Sequence, residues 1–231
     1  MENKQRILVI SPHADDAEIS MGGTIKKFRK EGHDVKLLVC IIPMENRDGD
    51  TIKEMEVKRL EAQKLAAEDM GGVAVDILDM DPYTFAFNRE LVKIVDKKIQ
   101  EYKPDVIFTQ WNHDSHQDHQ AVSNATFAAA RKNNITVLMY EQLTLGGITP
   151  YSFKSHIYVD ISDSINEKVK SVERYIPDIL KPTDADAVRS LARFRGNQIG
   201  VEYAECFEVC KLISTIDGDG MTIGSLWGNR T

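Results

Sequence analysis

The chain has 231 residues, with 36 Asp or Glu and 29 Lys or Arg side chains, and its formal net charge is −7 at pH 7. A sequence with 42% hydrophobic and 28% charged residues is typical of a globular protein and excludes a disordered, collagenous or membrane-embedded chain. The acidic balance argues against binding to nucleic-acid phosphates or insertion at an anionic membrane. The length predicts a single domain over residues 1–231.

The first 140 residues alternate short β-branched runs with segments of helical period, which is the pattern of parallel βαβ units. Strands are predicted at 7–11, 35–42, 75–78, 106–109 and 136–140, and helices at 24–30, 54–70, 91–102 and 121–131. The later part predicts a strand at 156–161, helices at 163–179 and 185–195, and a turn at 217–220. Residues 205–213 fit helix or strand equally well. We therefore expect an α/β fold, a Rossmann-like and mostly parallel sheet flanked by helices, with an α+β C-terminal extension.

The start of the chain lacks the apolar segment and cleavage site of a secretory signal, and the three cysteines are irregularly spaced. Both features predict a cytoplasmic protein without a disulfide framework. Cys206 and Cys210 are four residues apart and could share a helix face. We expect them to be small core residues and not metal ligands.

Two polar loops follow predicted strands, at the edge where open α/β sheets bind their ligands. The first loop, residues 11–18, contains His13, Asp15 and Asp16. The second, residues 112–119, contains three of the six histidines, His113, His116 and His119. A chance concentration of imidazoles beside carboxylates at such positions is improbable, so the two loops are the candidate functional site.

Imidazole nitrogen and carboxylate oxygen suit a borderline cation such as Zn²⁺, and a catalytic zinc site takes three protein ligands and leaves one position for water. His13 and Asp16, three residues apart, can point to one side of a turn. A histidine of the second loop, which spacing does not identify, would complete the set. Asp15 then faces elsewhere and is placed to take a proton from water as a general base. Without His13 the two aspartates would be read as helix caps.

The remaining polar residues of the second loop are predicted to support the ligands. Asp114 and Asp118 are expected to hold ligand imidazoles in the correct tautomer. His113 is expected to be solvated or to support the site, because the loop has more imidazoles than three ligands need. Isolated His33 and His156 are predicted to be surface or packing residues.

These motifs resemble those of a known family. The segment 12–18 (PHADDAE) followed by 22–24 (GGT) resembles the P-H-P-D-D-E and G-G-T opening of the PIG-L/LmbE-like zinc-dependent N-deacetylases. Residues 116–119 (HQDH) resemble their H-P-D-H motif. Three further segments extend the resemblance over most of the chain: an Arg-led helix at 59–71, R-G at 195–196 and Y-A-E-x-F at 203–207.

The resemblance implies that His13, Asp16 and His119 bind Zn²⁺ and that Asp15 is the general base. It implies that His116 stabilises the oxyanion or protonates the leaving amine. The implied reaction removes the acetyl group from an N-acetylglucosamine-type amino sugar or its conjugate, giving acetate and a free amine. The implied partner is therefore a small N-acetylated sugar. The resemblance also allows a homo-oligomer, for which no particular residue is evidence.

The sequence departs from the family pattern in regions that shape the substrate pocket. Ala14 and Gln117 replace both motif prolines, which should loosen the loops without removing a ligand. The family's T-D-G-E-x-G motif is not found at 42–49, and its H-x-S-Q segment is not found at 174–178. The substrate therefore stays open. Candidate substrate contacts, with surface or salt-bridge roles as the alternative, are Arg47, Arg59 and Tyr151.

Two other functions remain open at this point. One is a zinc amidase that acts on a different amide, such as a thiol conjugate or a nucleotide sugar. The other is a non-catalytic module that binds metal or sugar. The presence of both Asp15 and His116 argues against the binding module, which needs neither.

Overall fold

The computed structural model describes residues 4–42, 52–78, 80–143, 150–213, 215–217 and 220–222. Seven of its strands form one sheet, and their bounds are β1 (Arg6–His13), β2 (Asp34–Ile41), β3 (Ala74–Ile77), β4 (Val106–Gln110), β5 (Thr136–Tyr140), β6 (Ile157–Asp160) and β7 (Ala204–Lys211). The helices are α1 (Asp16–Lys30), α2 (Ile52–Asp69), α3 (Arg89–Tyr102), α4 (Gln117–Ala130), α5 (Ile165–Glu173) and α6 (Pro182–Ile199). A short hairpin, β8 (Thr215–Asp217) and β9 (Gly220–Thr222), follows.

The sheet has the order β3-β2-β1-β4-β5-β7-β6. Strands β1 to β5 are parallel, and β7 pairs antiparallel with both β5 and β6. This confirms the predicted Rossmann-like α/β sheet, which β6 and β7 complete. The chain moves outward from β1 on one side and from β4 on the other, so the order reverses between these two neighbours. In open α/β sheets such a switch point is where ligands bind.

The core has two layers because successive side chains of a strand point to opposite faces of the sheet. On β1, Ile7 and Val9 pack in one layer with α1, α2, α5 and α6, whereas Leu8 and Ile10 pack in the other with α3 and α4. The central strands β1, β2, β4 and β5 are buried almost throughout. Their continuous apolar runs are therefore those expected of parallel strands covered on both faces.

Several predicted boundaries are wrong, most of them at helix starts. α1 begins at Asp16 instead of 24 and α4 begins at Gln117 instead of 121, so part of each predicted loop is the first turn of a helix. The predicted helix 163–179 ends at Glu173. Residues 205–213 lie largely in a strand, β7, so Cys206 and Cys210 share no helix face. Cys206 is buried, but Cys210 is exposed and is not a core residue.

The two isolated histidines have packing or backbone roles, as predicted. His33 is buried, its ring contacts Phe28 edge-on, and its Nδ1 accepts a hydrogen bond from Gln5 N. The Nδ1 atom of exposed His156 accepts a hydrogen bond from Val209 N.

Among the described helices, none combines the length and the apolar character needed to cross a bilayer.

A buried ion pair fixes α1 against the rest of the structure. α1 loses helical geometry at Met21, where φ is −143° and ψ is 19°. Directly after this break, Gly23 N and Thr24 N donate to the Glu205 carboxylate over 3.0 and 2.7 Å. Lys168 of α5 pairs with the same carboxylate, and the two side chains are only 2% and 3% exposed. The carboxylate thus receives the free N–H groups where the helix restarts.

We expect Lys168→Met to lower the free energy of unfolding by about 3–5 kcal/mol, because it leaves the Glu205 carboxylate buried without its cation. The double variant Lys168→Met/Glu205→Gln should lose less than the sum of the two single variants, since the two side chains interact directly. Urea unfolding measures both effects. Lys170→Met, which changes a 57% exposed lysine of the same helix, is the control and should stay within about 1 kcal/mol. A Lys168→Met loss no larger than the control would contradict this role of the pair.

Candidate metal centre

The site lies at the carboxyl ends of β1 and β4, the two strands that meet at the switch point. His13 is the last residue of β1, and Asp16 is the first of α1. His119 lies in the first turn of α4, which follows β4 after a short loop. Both predicted loops are therefore brought together at one edge of the sheet.

His13, Asp16 and His119 converge on one position. Asp16 Oδ2 lies 3.1 Å from His13 Nδ1, and Asp16 Oδ1 lies 3.4 Å from His119 Nε2. Each side chain offers one ligand atom, and these atoms lie within 4.8 Å of one another. Two imidazoles and one carboxylate at such distances are a suitable donor set for a borderline divalent cation.

The electrostatics of the site also fit a cation. Burial alone would lower the pKa of His13, but its hydrogen bonds to Asp118 and Asp16 outweigh burial and raise this pKa to about 10. Burial alone would raise the pKa of Asp16, but His119 and His13 lower it to about 2. The carboxylates therefore favour positive charge at this position. Asp118 Oδ1 is buried and has no hydrogen-bond partner among the described residues.

Asp114 holds the ring of His119. Its Oδ2 lies 2.9 Å from His119 Nδ1, so the Nε2 atom faces Asp16. Asp114 is itself fixed by Gln110 Nε2, which donates to Oδ2 over 3.1 Å, and by His116 N, which donates to Oδ1 over 2.8 Å. A carboxylate behind an imidazole in this way sets the tautomer and orientation of a metal-binding histidine.

Asp15 connects β1 to α1 with a strained backbone. Its φ is +109°, which is unfavourable for a side chain other than glycine. It occupies the N-cap position of α1, yet its side chain makes no capping hydrogen bond. Burial and then the charge of Asp16 raise the pKa of the Asp15 carboxyl well above its usual range, while His13 and Arg59 act to lower it. Its carboxyl group is therefore not used as a helix cap.

His116 borders the site and is partly open to solvent. Its ring stacks on His119 at a centroid distance of 4.6 Å and lies 5.0 Å from that of His13. Its Nδ1 atom accepts a hydrogen bond of 3.2 Å from Asp118 N. Burial, followed by the charges of His119 and His13, lowers the pKa of His116. A neutral ring with this hydrogen bond carries its proton on Nε2.

The three predicted substrate contacts lie in different surroundings. Arg47 lies outside the described residues. Arg59 is buried on α2, and its charge acts on the carboxyl group of Asp15. Tyr151 is 58% exposed and stacks on His113 at a centroid distance of 4.1 Å. His113, which precedes Asp114 in the sequence, therefore packs against the exposed ring of Tyr151.

Sequence reasoning missed Gln142, which follows β5. Its Nε2 donates to Asp16 Oδ1, and its Oε1 accepts from Ser20 Oγ over 3.0 Å and from Leu143 N over 3.1 Å. The amide therefore fixes the Asp16 carboxylate through Oδ1, the oxygen that also faces His119 Nε2. A single glutamine carries no motif, and the one signal available was its position at the carboxyl end of a central strand.

The fold and this cluster define a Rossmann-like α/β protein with a His-Asp-His candidate metal centre. A family model described as PIG-L, GlcNAc-PI de-N-acetylase, matches residues 8–130. The match spans more than half of the chain and contains both motif segments. The chain belongs to the PIG-L family, and its class is that of the de-N-acetylating hydrolases.

Three similar proteins extend the comparison. A diacetylchitobiose deacetylase of Thermococcus kodakarensis is 29% identical over 223 residues, which cover 87% of this chain and 81% of the relative. The structure of N,N'-diacetylchitobiose deacetylase from Pyrococcus horikoshii has a TM-score of 0.77 at 22% identity. The match covers 90% of this chain and 84% of the Pyrococcus horikoshii chain. A 4-carboxy-2-hydroxymuconate hydratase from Pseudomonas putida has a TM-score of 0.78 at 16% identity, with coverages of 92% and 99%. At these identities the two solved structures show the fold alone.

In the metal-free protein, we expect the His13 ring to remain protonated at neutral pH and to titrate near a pKa of about 10. Because this pKa exceeds the usual value of 6.5, the ring stabilises the folded state most below pH 6.5, and this contribution is lost as the pH rises to about 10. Nitrogen-15 NMR of the imidazole follows the titration. Asp118→Asn should lower the pKa, since it removes an anionic acceptor. A neutral His13 ring at pH 7 in the metal-free parent protein would contradict the expectation.

Proposed function

We propose that the protein is a metal-dependent N-deacetylase that hydrolyses the acetamide of an N-acetylglucosamine-type amino sugar or its conjugate. The observation that carries the proposal is the convergence of His13, Asp16 and His119 beside Asp15, a carboxyl group that makes no cap hydrogen bond. Family membership and the similarity to a diacetylchitobiose deacetylase support the choice of an N-acetylated amino sugar.

In this proposal His13, Asp16 and His119 would hold the cation, for which Zn²⁺ is the choice that their nitrogen and oxygen donors favour. A cation bound there supplies Lewis acidity toward the amide carbonyl and lowers the pKa of water. Asp114 would keep His119 in the tautomer whose Nε2 is free to bind. Gln142 would hold the Asp16 carboxylate in place through Oδ1.

Asp15 would take the proton from the attacking water and would return it to the amine nitrogen as the C–N bond breaks. Its carboxyl group is next to Asp16 in sequence but takes no part in the His-Asp-His group. Its pKa is raised by burial and by Asp16, and a raised pKa brings a carboxyl group closer to the working pH of a general base. Asp15 lies at the junction of β1 and α1 with a strained φ. Backbone strain of this kind is unfavourable for folding and is typical of functional positions.

His116 would stabilise the negative charge that develops on the carbonyl oxygen. Its Nδ1 accepts a backbone hydrogen bond, so its remaining proton is on Nε2 and can be donated to an oxyanion. The lowered pKa of the ring favours this neutral donor over an imidazolium that protonates the amine. The structure therefore supports the first of the two roles implied for this residue.

We expect Asp15→Asn to retain close to one zinc ion per chain and to lose about 10²–10⁴-fold in kcat, because it removes the proton acceptor and no ligand. Zinc content by elemental analysis and acetate release from diacetylchitobiose measure the two effects. An unchanged kcat would exclude Asp15 as the base. Loss of zinc together with activity would place Asp15 among the ligands instead.

His13→Ala and His119→Ala should each weaken zinc retention by about 10-fold or more, since each removes one of three ligands. Competition with a chromogenic chelator gives the dissociation constants. His156→Ala is the matched control and should bind zinc like the parent, since this exposed histidine contacts Val209 N of β7 and lies outside the proposed ligand set. A variant of His13 or His119 that holds zinc as tightly as the control would remove that residue from the proposed ligand set.

A substrate panel separates this proposal from the other functions. We expect acetate release from N-acetylglucosamine or its disaccharide when zinc is present, and loss of release with a chelator. Activity confined to thiol conjugates or nucleotide sugars would indicate an amidase of different specificity. Zinc binding without acetate release from any member of the panel would favour a binding module.

A further inference from the structure

Glu141 and Gln142 lie just beyond the paired part of β5. The described pairing of β5 with β4 ends at Tyr140. Gln142 donates a hydrogen bond to Asp16, a residue of the candidate metal centre, so a shift of this segment would also shift the Asp16 carboxylate. The contacts that hold the segment in place therefore bear on the metal centre.

An ion pair with α6 holds Glu141. Arg195 donates to both oxygens of the Glu141 carboxylate, from Nε to Oε2 over 2.8 Å and from Nη2 to Oε1. The two side chains are only 13% and 15% exposed. Two parallel hydrogen bonds from a guanidinium fix a carboxylate in direction as well as in distance. Cys206 Sγ of β7 donates to the same Oε2 over 3.1 Å, so α6 and β7 together fix Glu141.

Gly196 allows α6 to lie close to the start of β7. A Cβ atom at this position would lie 2.7 Å from Glu202 O and 2.8 Å from Tyr203 Cα, distances that are too short for any residue but glycine. β7 is the antiparallel neighbour of β5, so its first residues lie beside the end of β5. The close approach of α6 therefore places Arg195 where its side chain reaches Glu141.

We propose that Arg195 is a positioning residue that acts, through the segment Glu141–Gln142, on the metal ligand Asp16. The inference rests on the proposed function, in which Asp16 binds the cation. Each step of the route is a covalent bond or a hydrogen bond between described residues. Replacing a residue that orients a metal ligand typically weakens metal binding by about 10–100-fold. The R-G segment 195–196 thus has a role in the metal centre, although it lies outside both motif loops.

An ion pair that only stabilises the fold would behave differently. Its loss would lower the free energy of unfolding, and its effect on metal binding would not depend on the side chain of Gln142. An effect that travels through Gln142 disappears once that side chain is removed, and a double-variant comparison measures this dependence.

The test compares zinc affinities and needs no activity. The metal-free parent, Arg195→Gln, Gln142→Ala and the double variant are titrated with Zn²⁺ in competition with a chromogenic chelator. We expect Arg195→Gln and Gln142→Ala each to weaken zinc binding by about 10-fold. The double variant should bind zinc like Gln142→Ala alone, because the route from Arg195 to Asp16 is already interrupted.

Arg193→Gln is the matched control. It changes a 59% exposed arginine of the same helix, which pairs with Glu202, and it should bind zinc like the parent. Circular dichroism establishes that each variant is folded. If Arg195→Gln does not fold, Arg195→Lys takes its place, since lysine keeps the charge but cannot donate the two parallel hydrogen bonds. We then expect a smaller loss of zinc affinity that again disappears in the Gln142→Ala background.

Two results would overturn the inference. One is zinc binding by Arg195→Gln as tight as that of Arg193→Gln. The other is an equal loss from the Arg195 substitution in the parent and in the Gln142→Ala background, since Arg195 would then act by another route. Either result with a parent that binds zinc leaves the proposed function standing, whereas a parent without zinc affinity contradicts both.

Discussion

The burial of several carboxyl groups around three imidazoles is the constraint on which the rest of the site depends. Five carboxyl groups at the carboxyl ends of β1 and β4 are buried, namely Asp15, Asp16, Glu18, Asp114 and Asp118. Gathering so many acids away from water is unfavourable unless cations or hydrogen-bond donors neutralise them. In the described part of the chain, the imidazoles of His13 and His119 and the amide of Gln142 are such partners, and the proposed cation would be another. The proposed affinity for a metal ion would thus follow from the burial of these acids.

The scaffold holds these acids through contacts outside the cluster itself. Parallel pairing of β1 with β4 brings the two motifs to one edge of the sheet. Glu205 accepts from Thr24 N just after the break in α1, and Lys168 Nζ donates to Ile19 O just before it over 2.6 Å. The ion pair therefore holds both parts of the helix, including the turn that presents Asp16. Gln142 then restrains Asp16 from the end of β5. A catalytic constellation needs such support to keep its geometry.

Much of the fold could be predicted because parallel strands that are buried on both faces have continuous apolar, β-branched sequences. The β-branched runs at β1, β2, β4 and β5 were recognised for this reason. The starts of α1 and α4 were missed, since Asp16 and His119 are polar residues on inward positions of a first turn and interrupt the apolar period. The sequence of β7 fits helix or strand, because the apolar pattern of this antiparallel strand is mixed and only its pairing with β5 and β6 distinguishes the two.

The candidate site was predictable to a different extent. Convergence of His13 and Asp16 with the second loop followed from parallel topology, and the structure shows it. Spacing alone did not separate His119 from the other histidines, and only the family resemblance did so. The Asp114 contact with His119 agrees with the predicted supporting role. Gln142 is distant in sequence from both motifs, so its position after β5 is the one signal in the sequence for its contact with Asp16. The roles of the individual site residues stay predictions.

The most direct measurement of the central claim is an anomalous difference map from crystals loaded with one equivalent of Zn²⁺. We expect one strong peak about 2.0–2.2 Å from a His13 nitrogen, an Asp16 oxygen and a His119 nitrogen, with Asp15 close by but not coordinated. A peak bound by other side chains, or no peak at this edge of the sheet, would contradict the proposed metal centre.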